Sequence, residues 1–253
     1  MIAHSAITGL ALSALIAIGA PFAVYFALRR RMTLPWRTIG IGALTFLLAA
    51  LVLEQIVHYF VLILPSPLST FMKATKPAFV LYGVLMAGIF EETGRYIAMR
   101  RFVRPTGNPG TAVAYGLGHG GLESVVIAGL PLAATVVVTL LLNAGVLQDH
   151  MSPVLAKIHG QLVHLDAFTA LIGGGERLIA LGLQIGLSML VWRAAELRRI
   201  GFLFLAIALH ALADTGAAML QAGLVHAIWV AELGAFAVLV VIVALLRFLP
   251  RTG

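Results

Sequence analysis

Long apolar runs, each about as long as a bilayer is thick, alternate with short polar segments along the chain. A spanning helix needs about 20 mostly apolar residues. By this criterion the pattern predicts seven transmembrane helices, at 5–28, 38–63, 78–99, 110–129, 170–192, 202–222 and 225–248. The composition agrees, with 61% hydrophobic and 11% charged residues, because soluble domains are about half apolar and a quarter charged. We therefore expect an all-α, polytopic membrane helix bundle in contact with the lipid bilayer.

Basic residues follow the first, third, fifth and last of these runs, and they predict how the chain is oriented. They are Arg29, Arg30, Arg31, Arg37, Arg100, Arg101, Arg104, Arg193, Arg198, Arg199, Arg247 and Arg251. All of them lie on one side if the N-terminus is outside and the C-terminus is cytoplasmic, as the positive-inside rule requires. The net charge of +7 thus reflects membrane topology, and no nucleic acid partner is expected.

The segment 131–168 is harder to place. Arg104 and Arg193 both favour the cytoplasm, so an even number of spans lies between them, and the apolar run 132–147 cannot cross alone. We predict a helix extension kinked at Pro131, followed by an amphipathic outer segment. A crossing by 154–172 as well would give nine spans, and this alternative stays open. No internal repeat is evident, so 1–253 reads as a single transmembrane domain.

Ionisable residues inside the predicted spans point to chemistry, because each costs several kcal/mol at membrane depth and usually faces a cavity or a partner. They concentrate in 91-EETGR-95, 118-GHGGLES-124 and 209-LHALAD-214. Glu91, His119 and His210 each lie about nine residues from the basic end of their spans, or about 14 Å along a helix. We therefore predict that the three stretches form one site in the cytoplasmic half of the bilayer.

The residues of this predicted site are more acidic than an ion pair between helices requires. They are Glu91, Glu92, Arg95, His119, Glu123, His210 and Asp214. An ion pair that only locks two helices together needs one acid and one base. Four acids, two histidines and one arginine are typical of a site that handles protons or binds a metal.

This ordered set resembles the YhfC family of intramembrane metalloproteases, related to type II CAAX proteases, PrsW proteases and the APH subunit of gamma-secretase. The shared pattern is a double glutamate followed by a basic residue, a histidine or glutamate on the next helix, and then His-x-x-x-Asp or His-x-x-x-Asn. The resemblance covers most of the chain. It implies an intramembrane protease of the bacterial plasma membrane, which hydrolyses a peptide bond of a membrane-embedded or membrane-associated protein.

The resemblance also implies a role for each site residue. Glu91 would be the general base that deprotonates water. His119 and His210 would position or polarise that water, or hold a metal, and Asp214 would complete the His210 cluster. Glu92 and Arg95 would support the site by pairing. Because the CAAX pattern places its arginine one residue further along, the choice between Glu91 and Glu92 as the base stays open.

Cofactor use stays open as well. The resemblance allows a zinc ion held by His119, Glu123 and His210, and equally a reaction that needs no metal. The chain has no cysteine, so a thiolate metal site is excluded. At Gln184 the chain also departs from a histidine that the resemblance implies, which weakens the expectation of zinc.

Two other functions are compatible with the sequence. One is a non-catalytic membrane scaffold, like the APH subunit, and the other is a proton- or cation-coupled transporter. The transporter would require polar residues across the whole bilayer, and a second polar set nearer the outside offers some: Glu54, His58, Glu176, Arg177 and Glu232. Within that set we predict a structural ion pair between Glu54 and Arg177.

Overall fold

The computed structural model describes residues 1–103, 108–147 and 151–248, and within these ranges every regular element is a helix. The α-helices are α1 (His4–Leu28), α2 (Trp36–Leu48), α3 (Gln55–His58), α4 (Pro67–Ala74), α5 (Lys76–Ala98), α6 (Pro109–Glu123), α7 (Leu130–Asn143), α8 (Pro153–Val163), α9 (Ala167–Leu197), α10 (Gly201–Gln221) and α11 (Ile228–Phe248). Wider π-helical turns occupy Ala49–Glu54, Tyr59–Ile63, Met99–Val103 and Ser124–Gly129. Such turns often occur at functional sites.

The helices confirm the predicted all-α membrane architecture. In the described ranges, six helical stretches are long and apolar enough to cross a membrane: His4–Leu28, Trp36–Ile63, Pro109–Asn143, Ala167–Leu197, Gly201–Gln221 and Ile228–Phe248. The stretch Lys76–Val103 makes a seventh when it is joined to α4, from which it is bent by 106°. The protein is therefore an integral membrane protein with six or seven candidate spans.

The alternative of nine spans finds no support in the described residues. Among the described residues between α7 and α9, the one extra helix is α8, whose 11 residues reach about 16 Å. A bilayer core is about 30 Å thick. Arg104, on which the parity argument rests, lies outside the described residues, and the orientation of the termini stays a prediction.

Contacts divide the chain into two compact units, and the first comprises Met1–Val24 and Glu123–Leu178. Here α1 packs on the start of α9, where Ser13 Oγ donates to the Ala170 carbonyl at 2.7 Å and accepts from Gly174 N at 3.0 Å. Asn143, at the end of α7, exchanges two hydrogen bonds of 2.8 Å with the backbone of Ile2. The predicted segment 131–168 falls in this unit as α7 and α8, with 148–150 outside the described residues.

A side-chain cap marks the start of α9. Asp166 lies just before the helix, and its Oδ1 accepts hydrogen bonds from Phe168 N at 2.9 Å and Thr169 N at 3.0 Å. This is the N-cap arrangement that satisfies free backbone donors. Hydrogen bonds from the Thr169 hydroxyl and backbone hold the pKa of Asp166 below its usual range. The carboxylate is therefore ionised at the helix end where negative charge is favoured.

The prediction of a single domain over 1–253 stays a prediction.

The second unit comprises Tyr25–Leu122 and Ile179–Gly253 and contains the three polar stretches, apart from Glu123 and Ser124. Its helices approach closely at glycines. A Cβ at Gly118 on α6 would lie 1.9 Å from the Ile39 carbonyl oxygen on α2, and one at Gly88 on α5 would lie 2.8 Å from the Ile207 carbonyl oxygen on α10. Small residues allow such backbone contact in membrane bundles. The glycines therefore bring α6 against α2 and α5 against α10, beside the polar residues.

A methyl group at Gly118 is expected to separate α6 from α2. We expect Gly118→Ala to lower the free energy of unfolding in detergent by about 1–3 kcal/mol, the usual cost of overpacking a close contact. Gly40→Ala is the matched control, because a Cβ at Gly40 on α2 meets no atom within 4 Å. The control should be neutral or stabilising by up to about 1 kcal/mol, since alanine is the better helix former. Equal stability of the two variants would contradict the close approach.

Candidate active site

Glu91 lies at the centre of a cluster of polar side chains in the second unit. Its Oε2 accepts a hydrogen bond from His119 Nε2 at 2.8 Å and from Gln184 Nε2 at 3.2 Å, and it lies 4.0 Å from His210 Nε2. These contacts join α5, α6, α9 and α10. The three stretches predicted to share a depth do meet at this carboxylate. We call the following set the Glu91 cluster: Glu91, Glu92, Arg95, His119, Gln184, His210 and Asp214.

The neighbouring carboxylate, Glu92, has different partners. Adjacent side chains on a helix point about 100° apart, so Glu92 turns away from His119. Its Oε1 accepts from His210 Nδ1 at 2.7 Å and lies 3.5 Å from Arg95 Nη2. The predicted pairing of Glu92 with Arg95 is thus present, one helical turn apart. Glu92 therefore contacts the Arg95 guanidinium and the His210 ring. Glu91 contacts the His119 ring and the Gln184 amide and lies near His210 Nε2.

Arg95 is held by α9 as well as by Glu92. Its Nη1 donates to the Gln184 carbonyl oxygen at 3.1 Å, and its Nη2 donates to Gln184 Oε1. The whole side chain is inaccessible. Gln184 therefore links the guanidinium to Glu91, because its backbone oxygen and its side-chain Oε1 both accept from Arg95, while its side-chain Nε2 donates to Glu91. In the sequence, Gln184 stood out only as a departure from a histidine. Its position inside a predicted span was the signal that its polar side chain has a partner there.

The two histidines have unlike surroundings. His119 is fully buried, with the Phe46 ring edge-on at 5.3 Å between centroids and the Tyr115 ring stacked at 6.2 Å. His210 is surrounded by carboxylates, since its Nε2 also lies 3.3 Å from Asp214 Oδ2. The Asp214 side chain is 44% exposed and is the most accessible carboxylate paired with the cluster histidines. His119 is thus fixed by packing, and His210 by charge and hydrogen bonds.

Glu123, the remaining predicted site residue, is the last residue of α6, one turn after His119 on the same helix. It belongs to the first unit, where Arg177 Nη1 lies 3.8 Å from its Oε1. Arg177 also donates to Glu176, and Glu54 pairs with His58 at 3.1 Å. The partners of Glu54 and Arg177 therefore differ from the predicted Glu54–Arg177 pair. The role of Glu123 as a metal ligand stays a prediction.

Comparison with known proteins assigns the chain to a family. The sequence profile of the family described as YhfC intramembrane metalloprotease matches residues 12–235. The chain belongs to the YhfC family. A relative from Bacillus subtilis (strain 168), "Uncharacterized membrane protein YhfC", is 37% identical over 232 residues, which cover 89% of each chain. No solved structure matches. The membership confirms the resemblance and supports the expected location in a bacterial plasma membrane.

The family's description implies a metal, and the donors of the Glu91 cluster fit one. Zinc is bound by imidazole nitrogens and carboxylate oxygens. Glu91 and His119 belong to a group of donors close enough to hold a metal ion, and His210 turns its Nε2 toward the same carboxylate oxygen. Metal-binding histidines usually donate their other ring N–H to a carboxylate. His210 has this partner in Glu92, whereas His119 Nδ1 has no hydrogen-bond partner among the described residues.

Proposed function

We propose that the chain is an intramembrane peptidase, which hydrolyses a peptide bond of a membrane-associated protein or peptide. One observation carries this proposal: a single buried carboxylate oxygen, Glu91 Oε2, faces the Nε2 atoms of both His119 and His210. A carboxylate among ring nitrogens in a buried site is suited to general base catalysis. Membership in the YhfC family supports the same activity.

In the proposed reaction Glu91 accepts a proton from a water molecule, and the water oxygen attacks the carbonyl carbon of the peptide bond. The carbon–nitrogen bond then breaks, and the proton held by Glu91 passes to the leaving nitrogen. One water is consumed, and one carboxyl group and one amine are formed. Glu91, rather than Glu92, is the proposed base because Glu92 is engaged by Arg95 and His210.

The other residues of the cluster orient and balance the site. His119 and Gln184 donate to Glu91 and hold its Oε2 in place. Glu92 holds His210 through Nδ1, so His210 presents Nε2 between Glu91 and Asp214. When protonated, that nitrogen can donate a hydrogen bond to the oxygen that gains negative charge during attack, as oxyanion-stabilising groups do.

Glu91, His119 and His210 are also the residues that would hold a zinc ion. A bound zinc ion would act as a Lewis acid and lower the pKa of a bound water. With zinc bound, the Nε2 atoms of His119 and His210 would face the ion instead of donating hydrogen bonds, and Glu91 would accept the proton of water through the oxygen that does not hold the ion.

Metal content tests the zinc ligands independently of activity. We expect the purified wild-type protein to retain about one zinc ion per chain, since two imidazoles and a carboxylate make a typical catalytic zinc shell. His210→Gln should lose most of this zinc, whereas the control His164→Gln, in the turn before α9, should keep it. The measurement is elemental mass spectrometry after dialysis. Wild-type protein free of every transition metal when purified from zinc-supplied cells would contradict the zinc assignment.

The peptidase proposal is tested with isotopically labelled water. Wild-type protein in proteoliposomes is incubated with membrane peptides in H₂¹⁸O, and products are analysed by mass spectrometry. We expect cleaved fragments whose new carboxyl group carries one oxygen from the solvent, and no such fragments with Glu91→Gln. Cleavage that Glu91→Gln leaves unchanged, or the absence of labelled fragments from a whole membrane-peptide pool, would overturn the proposal.

A further inference from the structure

Three titratable side chains form a second hydrogen-bonded set beside the Glu91 cluster. His58 Nδ1 lies 2.9 Å from the Tyr82 hydroxyl, and His58 Nε2 lies 3.1 Å from Glu54 Oε1. Glu54 ends the π-helical turn Ala49–Glu54, His58 ends α3, and Tyr82 lies on α5. We call Glu54, His58 and Tyr82 the access set. No step of the proposed hydrolysis uses them.

The access set extends along α5 away from the Glu91 cluster. A Cβ at Gly94 on α5 would lie 3.0 Å from Ala49 Cβ, and together with the His58–Tyr82 contact this shows that the two helices run antiparallel. Nine residues separate Tyr82 from Glu91, or about 14 Å along the helix. Glu54 lies five residues beyond Ala49, or about 8 Å along its helix towards the start of α5, and so at about the depth of Glu91. The set therefore starts beside the cluster and ends near the end of α5 that begins at Lys76.

The helix that carries Glu54 and His58 has two contrasting faces. The face turned to α5 presents these two polar residues. The opposite face is apolar and exposed, with Val52, Ile56 and Phe60 at 40%, 50% and 56% exposure, as expected of a lipid-facing surface. Polar groups at membrane depth usually face a water-filled cavity or a partner. His58 and Tyr82 are both partly accessible, so neither polar side chain of this face is sealed inside the protein.

The proposed hydrolysis requires water at the buried Glu91 cluster. Each peptide bond that is cleaved consumes one water molecule, yet His119 is fully buried and Glu91 and His210 are nearly so. Apolar side chains on the lipid-facing surfaces offer water no hydrogen bonds. A carboxylate, an imidazole and a phenol in succession do offer them, and ordered water needs two to four polar partners.

We propose that Glu54, His58 and Tyr82 line a water-filled path, through which the hydrolytic water reaches Glu91 from the membrane face at which α5 begins. The role of this path in supplying water for hydrolysis rests on the proposed peptidase function. Its existence does not depend on that function, because water access is a property of the structure and can be measured without a substrate.

The natural absence of cysteine allows the path to be mapped by cysteine labelling. His58→Cys and Tyr82→Cys place a thiol in the path. Ile56→Cys and Leu81→Cys are matched controls, because these neighbouring positions lie at nearly the same depth and are exposed on the apolar face. Each variant, in proteoliposomes, is treated with a charged methanethiosulfonate reagent that does not cross membranes, and a separate detergent-denatured sample of each is treated with a maleimide.

We expect the charged reagent to label His58→Cys and Tyr82→Cys at least about tenfold faster than either control, because only a hydrated thiol ionises to the reactive thiolate. The maleimide, applied to detergent-denatured samples, should label all four and so verifies that each thiol is present. Charged-reagent rates at both path positions as slow as those of the controls would overturn the path. Two separate path variants guard against local disruption at one of them.

The labelling result and the peptidase result can fail separately. Fast labelling without ¹⁸O-labelled fragments would leave a hydrated polar path in a protein that is not a peptidase, and only the proposed function would fall. Slow labelling with labelled fragments would keep the peptidase and refute the path. Addition of the charged reagent from one side of the vesicle also reports the face at which the path opens.

Discussion

Replacement of Glu91 by glutamine is expected to reduce peptide hydrolysis by about 10²–10⁴-fold, the usual contribution of a general base. Glutamine keeps the shape of the side chain and can still contact His119 and Gln184, but its amide cannot accept the proton of water. We expect kcat to carry most of the loss, because the missing interaction acts mainly in the transition state. The measurement is kcat and KM for a cleaved membrane peptide in proteoliposomes.

Two variants control this prediction. Glu176→Gln, which removes a carboxylate paired with Arg177 in the first unit, should hydrolyse at the parental rate. Glu92→Gln, on the next residue of α5, should lose less activity than Glu91→Gln but more stability, because Glu92 is the ion-pair partner of Arg95. If Glu92→Gln lost more activity than Glu91→Gln with an unchanged unfolding midpoint, Glu92 would be the base instead.

Removal of the Arg95 side chain is expected to produce the largest loss of stability. Arg95→Leu leaves the fully buried Glu92 without its arginine, and breaking a buried ion pair from one side costs about 3–5 kcal/mol. It also removes both hydrogen bonds that Arg95 donates to Gln184. The measurement is the free energy of unfolding in mixed detergent micelles. Arg101→Leu is the control, because Arg101 is exposed.

A double variant shows whether the loss arises from the uncompensated charge. We expect Glu92→Gln combined with Arg95→Leu to be more stable than Arg95→Leu alone, since no unpaired carboxylate then remains beside the leucine. Arg95→Lys should not restore wild-type stability, because an ammonium group lacks the planar fork that contacts Gln184 twice and Glu92 once. A loss from Arg95→Leu no greater than that from Arg101→Leu would contradict this account.

The common depth of the three polar stretches could be predicted from helical geometry alone. An α-helix rises 1.5 Å per residue, so the distance of Glu91, His119 and His210 from the ends of their spans follows from counting residues. The contacts of Glu91 with both histidines agree with that count. Depth alone, however, does not say which way a side chain points around its helix.

Gln184 shows what counting residues misses, and Glu54 shows a local pair that takes precedence over a predicted distant one. Gln184 joins Arg95 to Glu91 because α9 approaches α6 so closely that a Cβ at Gly120 would lie 2.6 Å from Gln184 Cβ. Glu54 was predicted to pair with Arg177, yet it pairs with His58, its neighbour one turn along the chain. The partners of Gln184 depend on how α9 is rotated, which the packing of its neighbours decides, whereas the Glu54–His58 pair follows from their spacing of four residues on one helix.

By itself, the sequence determined the membrane class, the placement of the helices, the family and the residues that carry charge into the bilayer. Hydropathy and residue spacing are local properties, so the chain shows them without its fold. Only the tertiary structure decided that Glu91 faces the two histidines while Glu92 pairs with Arg95, and that Gln184 joins them. The two glutamates are adjacent in sequence, and the helix packing at Gly88, Gly118 and Gly120 sets which neighbour each one meets.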